Sequence, residues 1–65
     1  MKISKSKKYK FELNMNGLRV GFYDYEVGEK YINLFYQYQP YPFAHLDLEH
    51  KDEFLRQMKE FENNL

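Results

Sequence analysis

Residues 8–25 read KYKFELNMNGLRVGFYDY, and this stretch decides the fold. From Lys8 to Met15 apolar and polar side chains alternate, which is the period of a half-buried β-strand. Asn16-Gly17 follows, and this dipeptide favours a type I′ turn because both positions need positive φ. A two-residue turn predicts three apolar pairs on one face: Met15–Leu18, Leu13–Val20 and Phe11–Phe22. Turn chemistry and alternation therefore predict the same hairpin independently.

A second turn is predicted at residues 26–28, where Gly28 would end a three-residue loop in a left-handed conformation. The third strand would then run from about Lys30 to Gln39. Its pairs would be Phe22–Ile32, Val20–Leu34 and Leu18–Tyr36. Pro40 and Pro42 end this strand, since neither can donate to a ladder. Residues 43–48 are a candidate fourth strand.

The C-terminal segment predicts a helix over residues 49–62, with Asp47 as a candidate N-cap. Its apolar stripe consists of Phe54, Leu55, Met58, Phe61 and Leu65. The helix would cover the sheet face made by Tyr9, Phe11, Leu13, Val20, Phe22, Ile32 and Leu34. The predicted fold class is α+β: an antiparallel β-meander of three or four strands with one C-terminal helix packed on one face.

Length and composition narrow the class of protein. We interpret residues 1–65 as one small domain, with residues 1–7 as a basic, flexible N-terminal arm. Such a small chain buries a limited core, and a homodimer would enlarge it. The chain has no Cys, which fits a reducing cytoplasmic location. We expect neither a signal peptide nor a membrane span, because no sufficiently long apolar run is present.

Alternation also divides the ring-rich stretch 33–43, NLFYQYQPYPF, between two faces. Tyr36 and Tyr38 are predicted to point toward the helix, and Phe35 to point away from it. Tyr41 and Phe43 follow the strand in a proline-stiffened link, where we expect them to cap the end of the core.

The predicted register leaves one sheet face uncovered by the helix. This outer patch comprises Tyr23, Tyr25, Tyr31 and Phe35, with Arg19, Lys8 and Lys10 at its rim. Soluble monomers rarely leave a patch of this kind without a role. We therefore predict a non-enzymatic protein-binding module, most concretely an inhibitor or adaptor that docks on a larger protein through these rings.

Two other interpretations of the outer patch stay open. Rings beside basic residues on a sheet can stack the bases of a single-stranded nucleic acid. Five Lys within residues 2–10 favour this, whereas the balance of ten basic and ten acidic residues weakens it. The third interpretation is structural, because cross-strand Tyr and Lys pairs also stabilise exposed sheets.

Two resemblances accompany these patterns. A β-meander with sheet rings, basic residues and a final helix resembles in outline the small curved-sheet single-strand binders of the transcription-coactivator type. That resemblance implies binding to single-stranded nucleic acid. The short, aromatic, cysteine-free character is similar to small phage or mobile-element proteins that bind and block a host enzyme.

Catalytic patterns are missing from the sequence, so we expect no enzyme, cofactor or metal. There is no phosphate-binding Gly loop and no Cys nucleophile, and His45 and His50 lack the i, i+4 spacing of a helical metal site. One further alternative is an acidic helix face that mimics nucleic-acid phosphates. It would consist of Glu49, Asp52, Glu53, Glu60 and Glu62. The interspersed Lys51, Arg56 and Lys59 favour an ordinary solvated face.

Overall fold

The computed structural model describes residues 1–64, in which six strands precede one α-helix. The strands are β1 (Lys2–Lys5), β2 (Phe11–Met15), β3 (Leu18–Phe22), β4 (Asp24–Val27), β5 (Tyr31–Phe35) and β6 (Ala44–Asp47). A 3₁₀ turn, Leu48–His50, leads into α1, Lys51–Asn63. Two antiparallel sheets result, a first sheet in the order β1-β2-β3 and a second in the order β4-β5-β6. The predicted α+β class with a C-terminal helix is confirmed.

The hairpin of β2 and β3 has the predicted register. Phe11 lies opposite Phe22, Leu13 opposite Val20 and Met15 opposite Leu18. Both turn residues have positive φ, 51° at Asn16 and 83° at Gly17, as a type I′ turn requires. Local turn chemistry and hydrophobic pattern agree here, so both specify the same register.

The prediction of a flexible arm over residues 1–7 is wrong for Lys2–Lys5. These residues form β1, which pairs with β2 and places Ile3 opposite Leu13 in the core. Ser6 then turns the chain back, because its hydroxyl accepts hydrogen bonds from the backbone N–H groups of Lys8 and Tyr9 at 3.2 and 2.9 Å. The strand predicted from Lys8 therefore starts at Phe11.

The predicted register of the second hairpin is also wrong. The chain bends at Tyr23, so Tyr25 rather than Val20 lies opposite Leu34, and Val27 lies opposite Ile32. The turn uses residues 29 and 30, and the Gly28 N–H donates to the Tyr31 carbonyl at 2.8 Å. Gly28 does not have the left-handed conformation that we predicted. β5 ends at Phe35 instead of Gln39.

The candidate fourth strand is confirmed as β6, in which Ala44 lies opposite Leu34 and Leu46 opposite Ile32. The predicted helix is confirmed as α1. Asp47 occupies the N-cap position of the 3₁₀ turn that leads into α1, as predicted, but its carboxylate makes no capping hydrogen bond. No helix in residues 1–64 is long and apolar enough to cross a membrane.

The core lies where both sheets meet α1. Its buried side chains are Ile3, Phe11, Leu13, Phe22, Ile32, Leu34, Phe54 and Met58. Phe22 stands at the centre, with ring centroids 5.1 Å from Phe11 and 6.1 Å from Phe54. Leu55 and Phe61 pack against this core as partly buried residues, and Leu65 of the predicted stripe lies outside the described residues.

Candidate functional site

The predicted outer patch does not form a single surface. The bend at Tyr23 shifts the alternation by one residue, so Tyr25 turns inward and its ring meets Phe54 edge-on at 5.1 Å. Tyr31 is 41% exposed and contacts His45 on the second sheet, at 4.1 Å between ring centroids. Arg19 lies on β3 of the first sheet. The single patch predicted from an unbroken meander is therefore wrong.

Part of the predicted set does meet, in an open groove of about 700 Å³ that we call the aromatic groove. Tyr23, Tyr25, Phe35 and Lys10 all line it. Phe11 and Met58 bring the edge of the core to the surface there. Four further lining residues come from a loop that was not predicted as part of a site: Tyr36, Gln37, Tyr38 and Gln39.

Two residues that line the aromatic groove, Tyr23 and Tyr36, belong to a row of contacting rings. We call this row the ring ridge; in order, it comprises Tyr23, Tyr9, Tyr36 and Phe43. Tyr9 meets Tyr23 edge-on at 6.0 Å and stacks on Tyr36 at 5.8 Å. Tyr36 stacks on Phe43 at 3.7 Å with an interplanar angle of 4°. Such contacts hold the rings in fixed positions before any partner arrives.

Gly21 makes the ring ridge sterically feasible. The Tyr9 ring lies over Gly21, where a Cβ atom would come within 2.7 Å of its Cγ. We predicted that Tyr9 would face the helix with Phe11, and this is wrong, because the turn at Ser6 carries Tyr9 to the opposite sheet face. The Tyr23 hydroxyl donates to the Lys8 carbonyl at 3.2 Å, which fixes the end of the ridge.

The loop from Tyr36 to Phe43 displays two Tyr rings to solvent. Tyr38 is 92% exposed and Tyr41 is 79% exposed. The predicted core-facing orientation of Tyr36 and Tyr38 is wrong because β5 ends before them. Phe43 packs against the core as predicted, whereas Tyr41 does not cap it.

The backbone of Tyr38 is strained. Its φ is 61°, and the Gln39 N–H donates to the Tyr36 carbonyl at 3.4 Å, so Tyr38 is the third residue of a tight turn. Gly or Asn usually takes a position with this φ. A bulky side chain there costs on the order of 1 kcal/mol. Stability alone would favour Gly or Asn at this position, yet the chain has an exposed Tyr there.

Acidic side chains dominate the rim of the aromatic groove. Asp24, Glu26 and Glu62 face a single cation, Lys10. None of the three carboxylates forms an ion pair within residues 1–64. The Asp24 carboxylate instead accepts a hydrogen bond from the Tyr25 N–H at 2.8 Å. The groove thus combines apolar rings with an excess of negative charge.

The predicted acidic helix face is partly neutralised. Three of its carboxylates have cationic or ionisable neighbours: Glu53 and the Met1 amino group at 3.2 Å, Glu49 and His50 at 3.4 Å, and Glu60 and Arg56 at 3.1 Å. No set of His, Asp and Glu side chains in residues 1–64 is arranged to hold a metal ion.

The residues that line the aromatic groove can stack, make apolar contacts, form hydrogen bonds and pair with a charged partner.

Comparisons of the chain with protein-family models, curated proteins and solved structures gave no match. Neither of the two resemblances noted from the sequence gains support from them.

Proposed function

We propose that this chain is a non-enzymatic protein-binding module, an inhibitor or adaptor that docks on a larger protein through the aromatic groove and the 36–43 loop. The observation that carries the proposal is the exposed Tyr38 ring, held at φ 61° beside the groove. Strain retained at a solvent-exposed residue is typical of functional positions. A partner would cover apolar surface that water now contacts.

The composition of this surface supports the proposal. Tyr is enriched at the energetic centres of protein interfaces, because its large ring loses little conformational entropy on binding. The ring ridge is already stacked in the free protein, so a partner would not have to order it. Preorganisation of this kind lowers the entropic cost of association.

Single-stranded nucleic acid is the second candidate partner. The Lys8 ammonium lies 5.5 Å from the Tyr9 ring centroid, which combines a cation with a stacking ring inside the ring ridge. The three unpaired carboxylates at the groove count against this candidate, because they would repel phosphates. Salt-sensitive quenching of Tyr fluorescence by an oligonucleotide would favour it over a protein partner.

The remaining parts of the proposal concern context. We place the protein in the cytoplasm, in keeping with a chain that lacks Cys. A phage or mobile-element origin is our interpretation of its small, aromatic character.

A homodimer would be one form of protein binding, which light scattering across a concentration series distinguishes from docking on another protein. Nucleic-acid mimicry by α1 has less support, because Arg56 neutralises Glu60 within the same face.

The test is affinity capture with wild-type protein and with the double variant Tyr38→Ser, Tyr41→Ser. Both rings are exposed, so their removal should leave the fold intact. Leu18→Ser is the matched control, since Leu18 is 65% exposed at the hairpin tip and does not line the groove. We expect wild-type and control proteins to capture a partner that the double variant does not. Equal capture by all three would refute the assignment of the surface.

A further inference from the structure

We propose that the aromatic groove binds an extended, proline-containing peptide segment of another protein, one that carries Arg or Lys beside its prolines. The inference rests on the proposed function and names the chemistry of the partner. Three features of the groove lead to it: its aromatic rings, an edge strand with an occupied backbone N–H group, and its negative charge.

The rings suit a polyproline II helix. That helix has three residues per turn and no internal hydrogen bonds, and it docks in shallow grooves lined by aromatic side chains. Tyr23 and Tyr36 belong to the ring ridge and line the groove, with Phe35 and Tyr38 beside them. The groove is open to solvent, so a bound peptide need not be enclosed to contact these rings.

The strand edge disfavours the main alternative, in which a peptide adds to the sheet as a further strand. β4 is an edge strand of the second sheet and lines the groove. Strand addition requires free backbone donors along such an edge. The Tyr25 N–H is already bonded to the Asp24 carboxylate at 2.8 Å. A polyproline II segment avoids this obstacle because it needs no hydrogen-bond ladder.

The charge selects a basic peptide. Asp24, Glu26 and Glu62 border the groove without ion-pair partners in residues 1–64, against Lys10 alone. An Arg side chain on the peptide can form charge-assisted, bidentate hydrogen bonds with such carboxylates. The proline-containing stretch of this chain itself, residues 39–43, reads QPYPF and has no basic residue. Charge complementarity therefore favours a different protein over a second copy.

Fluorescence anisotropy with three labelled peptides tests the proposal. The first consists of Pro-Pro-Arg repeats. The second consists of Pro-Pro-Glu repeats, with the same backbone and opposite charge. The third consists of Gly-Ser-Arg repeats, with the same charge and a flexible backbone. We expect the full chain to bind the first peptide and to bind both others at least about tenfold more weakly.

Two variants locate the site. Tyr38→Ala should weaken binding about thirtyfold if the ring is an energetic centre of the contact. Glu26→Lys should weaken it about fivefold, as the loss of an exposed ion pair implies. Leu18→Ser is again the control and should bind as the wild type does. Circular dichroism confirms that each variant is folded.

Several outcomes would overturn the proposal. Equal binding of the Gly-Ser-Arg peptide would mean that charge alone attracts the ligand, and equal binding of the Pro-Pro-Glu peptide would remove the role of the carboxylates. If no peptide binds at about 1 mM while capture still depends on Tyr38 and Tyr41, the proposed function stands and this inference fails. Self-association that Pro40→Ala abolishes would identify a second copy as the occupant.

Discussion

Replacing Gly21 by Ala should destabilise the protein through Tyr9, although β3 itself would accept the new side chain. An added Cβ would lie 2.5 Å from Cε2 and 2.7 Å from Cγ of Tyr9. These separations are below van der Waals contact and involve the base of the ring as well as its far side, so the ring has to leave its place. It would then lose its stack on Tyr36 and its edge contact with Tyr23.

The magnitude follows from these contacts. Each aromatic pair contributes about 0.5–1.5 kcal/mol, so displacement of the ring costs about 2 kcal/mol. Ala in place of Gly within a strand returns about 0.5–1 kcal/mol by reducing the entropy of the unfolded chain. The net loss should be about 1 kcal/mol. In a Tyr9→Ala background nothing remains to be displaced, so Gly21→Ala should there stabilise the protein by about 0.5–1 kcal/mol.

Urea unfolding followed by circular dichroism measures the four free energies of this cycle. The diagnostic result is that the effect of Gly21→Ala on the free energy of unfolding changes sign between the wild-type and Tyr9→Ala backgrounds. The coupling energy between the two positions should be about 2 kcal/mol. Equal slopes of free energy against urea concentration would show that the variants unfold from comparable states. Additive effects, or stabilisation by Gly21→Ala in the wild-type background, would refute the account of the ring ridge.

Four further substitutions test other parts of the structure. Tyr38→Gly should raise the free energy of unfolding by about 1 kcal/mol by relieving the positive φ, and a lower urea midpoint would contradict the turn geometry. Tyr25→Ala should lower the free energy of unfolding by about 2 kcal/mol because the ring packs on Phe54. Tyr31→Ala should lower it by less than about 1 kcal/mol because Tyr31 is partly exposed. If thermal melts gave the reverse order, the inward orientation of Tyr25 would be contradicted. Gly17→Ala should cost about 1–2 kcal/mol since φ there is 83°, and an unchanged melting temperature would exclude the type I′ turn.

Only part of the candidate site could be found from the sequence. Tyr23, Phe35 and Lys10 were expected to lie on one surface, and they line the aromatic groove. Tyr25 joins them from the inward-facing side, contrary to its predicted orientation. Tyr38 was assigned to the core because alternation was extended past the true end of β5. The signal that could have corrected this was the nearby pair of prolines, which already indicated that the ladder was ending.

The sequence by itself determined the elements whose signals are local. Asn16-Gly17 with its flanking alternation set the register of β2 and β3, and the apolar spacing of residues 54–61 set the buried face of α1. Tertiary structure decided the rest, namely the bend at Tyr23, the pairing of β1 and the position of Tyr9 over Gly21. The reason is physical: a single shifted residue reverses every side chain that follows in a strand, and only packing against distant residues selects between the two outcomes.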